Sequence, residues 1–238
     1  MAKKKTEVAE VEVKDEKFAG VATIEDRSSY VGRGSENVTA SDLAIPRLKL
    51  LQMINPEVEP GNPKQVDGAQ AGMIMNSVTE ELHTSLFLIN LSFTRKIVVW
   101  RKRKLGGGMV GSYESQQEAL DALAEQGLAE KDHDISENPT HLVLVLDDEG
   151  SPKSIALLDM PGVKAKKSRI WNTLIADEEK QGNPRFGCVW QLGVISESNS
   201  SGNFFNIDVS LIAHAPDELY EQAVDMFNAM FAPRSEAA

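Results

Sequence analysis

Residues 86–104, LFLINLSFTRKIVVWRKRK, constrain this chain more than any other segment. They are rich in Leu, Ile, Val, Phe and Trp, which suit a pleated, half-buried surface. The run is too long for an ordinary strand of about 3–10 residues. It reads as two strands, or as one long strand bent at residues 92–94. Its character changes along its length. The stretch from Arg95 to Lys104 carries six basic residues and no acid, and Gly106, Gly107 and Gly108 close it.

Around this segment the texture is also mostly β, and strands arrive as hairpins. IPRLKLLQMI reads as a short extended segment or a single turn, because Pro46 interrupts a helix there. MIMNSVTEE is a strand running into a polar turn. HLVLVL and SPKSIALLDM bracket the turn DDEG, and FGCVWQLGVISES and NFFNIDVSLIAH bracket NSSG. Three segments switch to helical spacing. Residues 114–130 carry Ala119, Leu120, Leu123 and Leu128 between acids. SRIWNTLIADEEKQGN sets Ile170, Trp171, Leu174 and Ile175 on one face, with residues 164–168 as a basic approach. Residues 216–232 form an amphipathic C-terminal helix.

Hairpins without βαβ units imply a mainly antiparallel α+β fold. The small barrel that fits this order is OB-like, with an inserted helix and a C-terminal helix. Residues 1–41 mix seven Lys/Arg with eight Asp/Glu, lack periodicity and read as a disordered tail. One β-rich domain over 42–238 follows, with an acidic insertion at 114–138.

Composition matters here through its distribution. The net charge of −11 argues against a histone-like coat, yet residues 114–149 hold eleven acids against one base, Lys131. The bases gather in two places. Arg95, Lys96, Arg101, Lys102, Arg103 and Lys104 surround Trp100, and Lys164, Lys166, Lys167 and Arg169 adjoin Trp171. Cations beside aromatic faces are what a single strand of nucleic acid requires: the charges displace counterions from phosphates and the rings stack on unpaired bases. Phe204 and Phe205 are adjacent on a strand, so they point to opposite faces and one is available for stacking. Each of these has a plainer reading. The tryptophans fit core packing, and RKRK fits a solvated strand end.

Other chemistry finds little support in the sequence. The glycine triplet lacks the GK[ST] ending of a phosphate loop. Asp147, Asp148 and Glu149 sit in a turn, where acids are expected, rather than as metal ligands. His83, His133, His141 and His214 are scattered, and Cys188 as the single cysteine excludes a disulfide or a multi-cysteine zinc site. No catalytic residue, metal site or cofactor is expected. No apolar run approaches the roughly 18–20 residues of a membrane span, so the chain reads as soluble and cytoplasmic.

IPRLKLLQMINPEV, TRKIVVWRKR with its glycine triplet, and KKSRIWNTLI resemble phage-encoded single-stranded DNA-binding proteins of replication gene neighbourhoods, over residues 43–212. The resemblance implies an OB-like core and a non-enzymatic role in phage DNA replication or recombination, in the host cytoplasm. Proteins of this role commonly end in an acidic tail that recruits polymerase and helicase. FAPRSEAA is not such a tail, so the acidic segment 114–149 is the candidate for contacting replication proteins. Two alternatives stand beside this reading. One is a structural or virion-associated protein whose acidic and basic faces meet in assembly. The other is an adaptor of a host enzyme whose acidic block imitates DNA.

Overall fold

The computed structural model describes residues 32–38, 42–200 and 202–231, and the backbone of four residue pairs between 8 and 23. The chain divides into two units, 1–44 and 45–238. The expected disordered tail falls largely outside the described residues. In the first unit, β1 (Val8–Ala9) pairs antiparallel with β4 (Ala22–Thr23), and β2 (Glu12–Val13) with β3 (Glu16–Lys17).

The second unit is α+β with mainly antiparallel sheets, as the hairpin pattern implies. Its strands are β5 (Leu48–Leu50), β6 (Ile74–Asn76), β7 (Leu82–His83), β8 (Leu86–Arg101), β9 (Met109–Tyr113), β10 (His133–Leu146), β11 (Pro152–Asp159), β12 (Cys188–Asn199) and β13 (Gly202–His214). The helices are α1 (Gln116–Glu125), α2 (Lys164–Lys180) and α3 (Asp217–Phe231). The main sheet runs β11-β10-β8-β12-β13, and β9 also pairs with β8.

Residues 86–101 are one long strand because its two ends serve different neighbours. β10 pairs along one edge from Phe87 to Arg101. On the other edge, β12 takes Leu86 to Ile89 and β9 takes Ile97 to Trp100. The register against β10 slips at Leu91, where an extra residue forms a bulge between Asn90 and Ser92. The far half of β8, with β9 and the first half of β10, is therefore an arm projecting beyond the main sheet.

Three apolar clusters hold these pieces. On one face of the sheet, Leu88, Val143, Val145 and Trp190 pack beneath Trp171 and Ile175 of α2. On the opposite face, Ile89, Leu142, Leu144 and Leu146 meet Leu219 and Ala223 of α3. In the arm, Val99 is covered by Ala119 and Leu123 of α1. Ser115 starts α1 by accepting from the Glu118 N–H at 3.1 Å, while Glu118 reaches back to the Glu114 N–H at 2.9 Å. The acidic insertion is thus folded structure, part helix and part strand.

The OB-like barrel does not form. Among the described residues no ladder joins β11 to β13. The gap is crossed by β5, through a single parallel bridge from Arg47 to Leu157. On the other side the Gln52 carboxamide donates to the Phe205 carbonyl at 2.9 Å and accepts from its N–H at 3.0 Å. One side chain makes both bonds that a neighbouring strand would make. With only three residues of strand before a turn, β5 is too short to close the sheet by backbone pairing.

A buried polar chain joins α2 to the sheet. Arg185 donates to Asn90 Oδ1 at 2.6 Å, Asn90 Nδ2 lies 2.8 Å from His141 Nδ1, and His141 Nε2 lies 2.8 Å from Ser168 Oγ. Arginine only donates, so Asn90 must present its oxygen to Arg185 and its NH2 to His141. Nδ1 then accepts, and the neutral ring carries its proton on Nε2 and donates to Ser168. His141 also stacks on Trp171 with ring centres 4.4 Å apart. Burial, with the Arg185 charge nearby, pushes the imidazole pKa down from 6.5 to about 3. Because the folded value is depressed, the stability it contributes is complete above pH 6.5 and is lost as pH falls toward 3. We predict a loss of about 1.4 kcal/mol per pH unit from this group within that window. Urea unfolding at pH 7.5 and 5 tests it: an equal pH slope in wild type and His141→Gln would refute the assignment.

Candidate nucleic-acid interface

The tip of the arm collects the first basic cluster. Trp100 and Arg101 end β8, residues Arg103–Leu105 form a single 3-10 turn, and Gly106, Gly107 and Gly108 follow at φ of 98°, 66° and 101°. Three successive left-handed residues lead the chain back into β9, and only glycine takes that run without strain. Trp100 sits opposite Asp134 of β10 and is 45% exposed. Trp100, Arg101, Arg103, Gly107, Gly108 and Asp134 line a hollow of about 510 Å³.

The cations of β8 divide into two groups. Arg95 pairs with Glu137 at 3.8 Å and Lys96 with Glu114 at 3.1 Å, so the acidic segment neutralises the base of the arm. Lys102 donates to the Lys131 carbonyl at 2.7 Å. Arg101, Arg103 and Lys104 are exposed and have no ion-pair partner among the described residues.

The second cluster lies at the start of α2, which begins at Lys164, so the basic approach expected at 164–168 is helical. Val163 supplies no side-chain cap and the first turn holds no acid. The helix dipole and the lysines therefore add the same sign of charge there. Lys164 is half-buried and donates to the Asp159 carbonyl at 2.9 Å; desolvation lowers its pKa against the opposing pull of Asp159. Lys167 is held by Asp208 at 3.1 Å and Glu197 at 3.8 Å. Lys166 and Arg169 are exposed and unpaired among the described residues.

A groove of about 670 Å³ adjoins Lys164. Phe204 and Phe205 line it from β13, both half-buried. The Phe205 ring covers Gly72, where a Cβ would meet it at 2.9 Å, so Phe205 is the more structural of the two. The sequence reading missed the opposite wall, formed by Arg47, Lys49, Gln52, Met53 and Ile54. Arg47 pairs with Asp159, and Lys49 with Glu57 at 2.6 Å. Met53 and Ile54 are exposed just after β5, which their apolar residue types do not signal in the sequence.

The two basic clusters do not line one hollow: the groove takes only Lys164 from them, and the hollow at the arm tip only Arg101 and Arg103. Trp171 must be removed from the stacking residues, because it is fully buried between His141 and Trp190. A fully buried ring has no face left for a base. Asp147 accepts from the Glu149 and Ser151 N–H groups, which is the turn role expected of it. Ser168, His141 and Asn90 resemble a hydrolytic triad in residue type alone. His141 donates to Ser168 instead of accepting its proton, and all three are buried.

The two tryptophans differ in a measurable way. Trp171→Ala is expected to lose about 3–5 kcal/mol of folding stability, as truncation of a buried aromatic does. Trp100→Ala is expected to stay within about 1 kcal/mol of wild type, as at partly exposed sites outside the core. Chemical denaturation of both variants checks this, and equal losses would contradict the assignment.

A family model described as Pam3 phage gp34-like protein matches residues 13–234. No curated protein and no solved structure gives a significant match.

Proposed function

The chain belongs to the Pam3 phage gp34-like protein family, a family of phage proteins, and we propose that it is a non-enzymatic binder of single-stranded DNA. One observation carries the reading: a half-exposed indole, Trp100, flanked by Arg101 and Arg103, which have no ionic partner among the described residues. Bases stack on the ring, while Arg101, Lys102, Arg103 and Lys104 displace counterions from the adjoining phosphates. Lys166, Arg169 and Phe204 form a second, separate contact region. Replication or recombination in the host cytoplasm is the proposed setting. Among the described residues no helix is long and apolar enough to cross a membrane.

The acidic segment acts as an internal competitor in this reading. Glu137 and Glu114 occupy Arg95 and Lys96, so phosphates must displace them to extend the contact toward the sheet. The assembly reading has its own support, the separation of the two basic clusters. In that case a basic tip of one copy meets the acidic α1 region of another.

Titration with a dT oligomer at several salt concentrations tests the proposal. Contact with about four phosphates gives a log–log salt slope near 3, at roughly 0.7 per phosphate. Combined Arg101→Ala, Lys102→Ala and Arg103→Ala is expected to weaken binding and flatten that slope. Unchanged affinity in this folded variant would sink the DNA reading, and salt-sensitive self-association by sedimentation would then favour assembly.

Freeing the paired cations should act in the opposite direction. Glu114→Gln with Glu137→Gln is expected to tighten dT binding about two- to fivefold, the range that exposed ion pairs of roughly 0.2–1 kcal/mol allow. Weaker binding in that variant would mean that the acids do not compete with DNA.

A further inference from the structure

Three side chains from separate elements converge at the end of the main sheet away from the arm. Cys188 opens β12 and His214 closes β13, and the two are register partners across the ladder. Directly opposed residues share a face, with Cβ atoms about 4.5–5.5 Å apart. Glu178 comes from the last turn of α2, on the stripe of Trp171 and Ile175 that faces the sheet. Its Oε2 lies 2.9 Å from His214 Nε2, and the Glu178, Cys188 and His214 ligand atoms all lie within 4.8 Å of one another.

We propose that Glu178, Cys188 and His214 bind a single Zn²⁺ ion, with solvent completing the tetrahedron. A thiolate, an imidazole and a carboxylate are the ligand types zinc takes. One thiolate and one carboxylate balance the two positive charges of the ion. Tetrahedral zinc at about 2.0–2.3 Å from its ligands holds them roughly 3.3–3.8 Å apart, so the three ligand atoms, already within 4.8 Å of one another, close on the ion by small side-chain movements. That exposure also leaves the fourth position open to water. Asn183 Nδ2 donates to Glu178 Oε2 at 2.8 Å and holds the carboxylate in place, as residues supporting metal ligands do.

Without metal, burial and the nearby Glu178 and Glu179 charges push the Cys188 thiol up to about 11. The site lies apart from the arm tip, so it stands whether or not the chain binds DNA.

The purified full-length protein, kept reduced with a phosphine, is titrated with Co²⁺ as a spectroscopic substitute. The expected result is a thiolate-to-cobalt charge-transfer band in the near ultraviolet, saturating at one equivalent and absent from Cys188→Ser. Zn²⁺ competition against a chromogenic chelator should show affinity lowered at least about tenfold in His214→Ala, no less than loss of a supporting residue costs. His214 is exposed, so that variant keeps the fold even if Cys188→Ser does not. Absence of the band at one equivalent, or wild-type zinc affinity in His214→Ala, would overturn the proposal.

Discussion

The antiparallel ladder between β8 and β10 is the interaction on which the other parts depend. Its inner half, Phe87 to Ser92 against Leu146 to Leu142, lies between α2 and α3 and, Asn90 and Ser92 aside, is apolar on both faces. Its outer half leaves the main sheet and becomes a separate platform, where Ile97, Val99 and Ile135 bury a small core with α1. The bulge at Leu91 lets one strand do both. It shifts the side-chain alternation by one residue, so Phe93 turns toward His141 and the α2 face. Without the shift, every residue of the arm would exchange faces relative to the sheet.

Charge follows the same ladder. The basic half of β8 pairs with the acidic half of β10, which places Arg95 beside Glu137 and Trp100 opposite Asp134. A strand this cationic would repel a basic partner, and the acidic segment 114–138 supplies the complement, with Glu137 on Arg95 and Glu114 on Lys96. Much of the charge segregation therefore has a structural origin. What the structure leaves over is the tip, where Arg101, Arg103 and Lys104 have no ion-pair partner among the described residues. The functional reading rests on that remainder and not on the total number of basic residues.

Hairpins, the three helices and the long apolar strand were legible because each is a local pattern. Alternation, helical spacing and turn residues act within about ten neighbours. Their errors came from the same source. KAKK was read as a basic approach to α2 and not as its first turn, and a sequence pattern does not show that Lys164 and Lys167 are anchored by Asp159, Asp208 and Glu197. The barrel was expected from the order of hairpins around an inserted helix and from the phage resemblance, while β5, the element across the gap, is only three residues long. Trp171 looked equally suited to a base or a core, and burial decided it.

By itself, then, the chain's order of residues determined the strands and helices, the antiparallel pairing of successive strands, and a basic segment ending in a flexible glycine turn. Those follow from short-range sterics and from hydrophobic alternation, which need no knowledge of distant neighbours. Only the tertiary structure decided which cations are neutralised, which indole is exposed, and that Glu178, Cys188 and His214 meet. Each of those outcomes depends on residues brought together from separate strands and helices. Burial and ion pairing act over a few ångströms of space, and sequence separation carries almost no information about distances of that size.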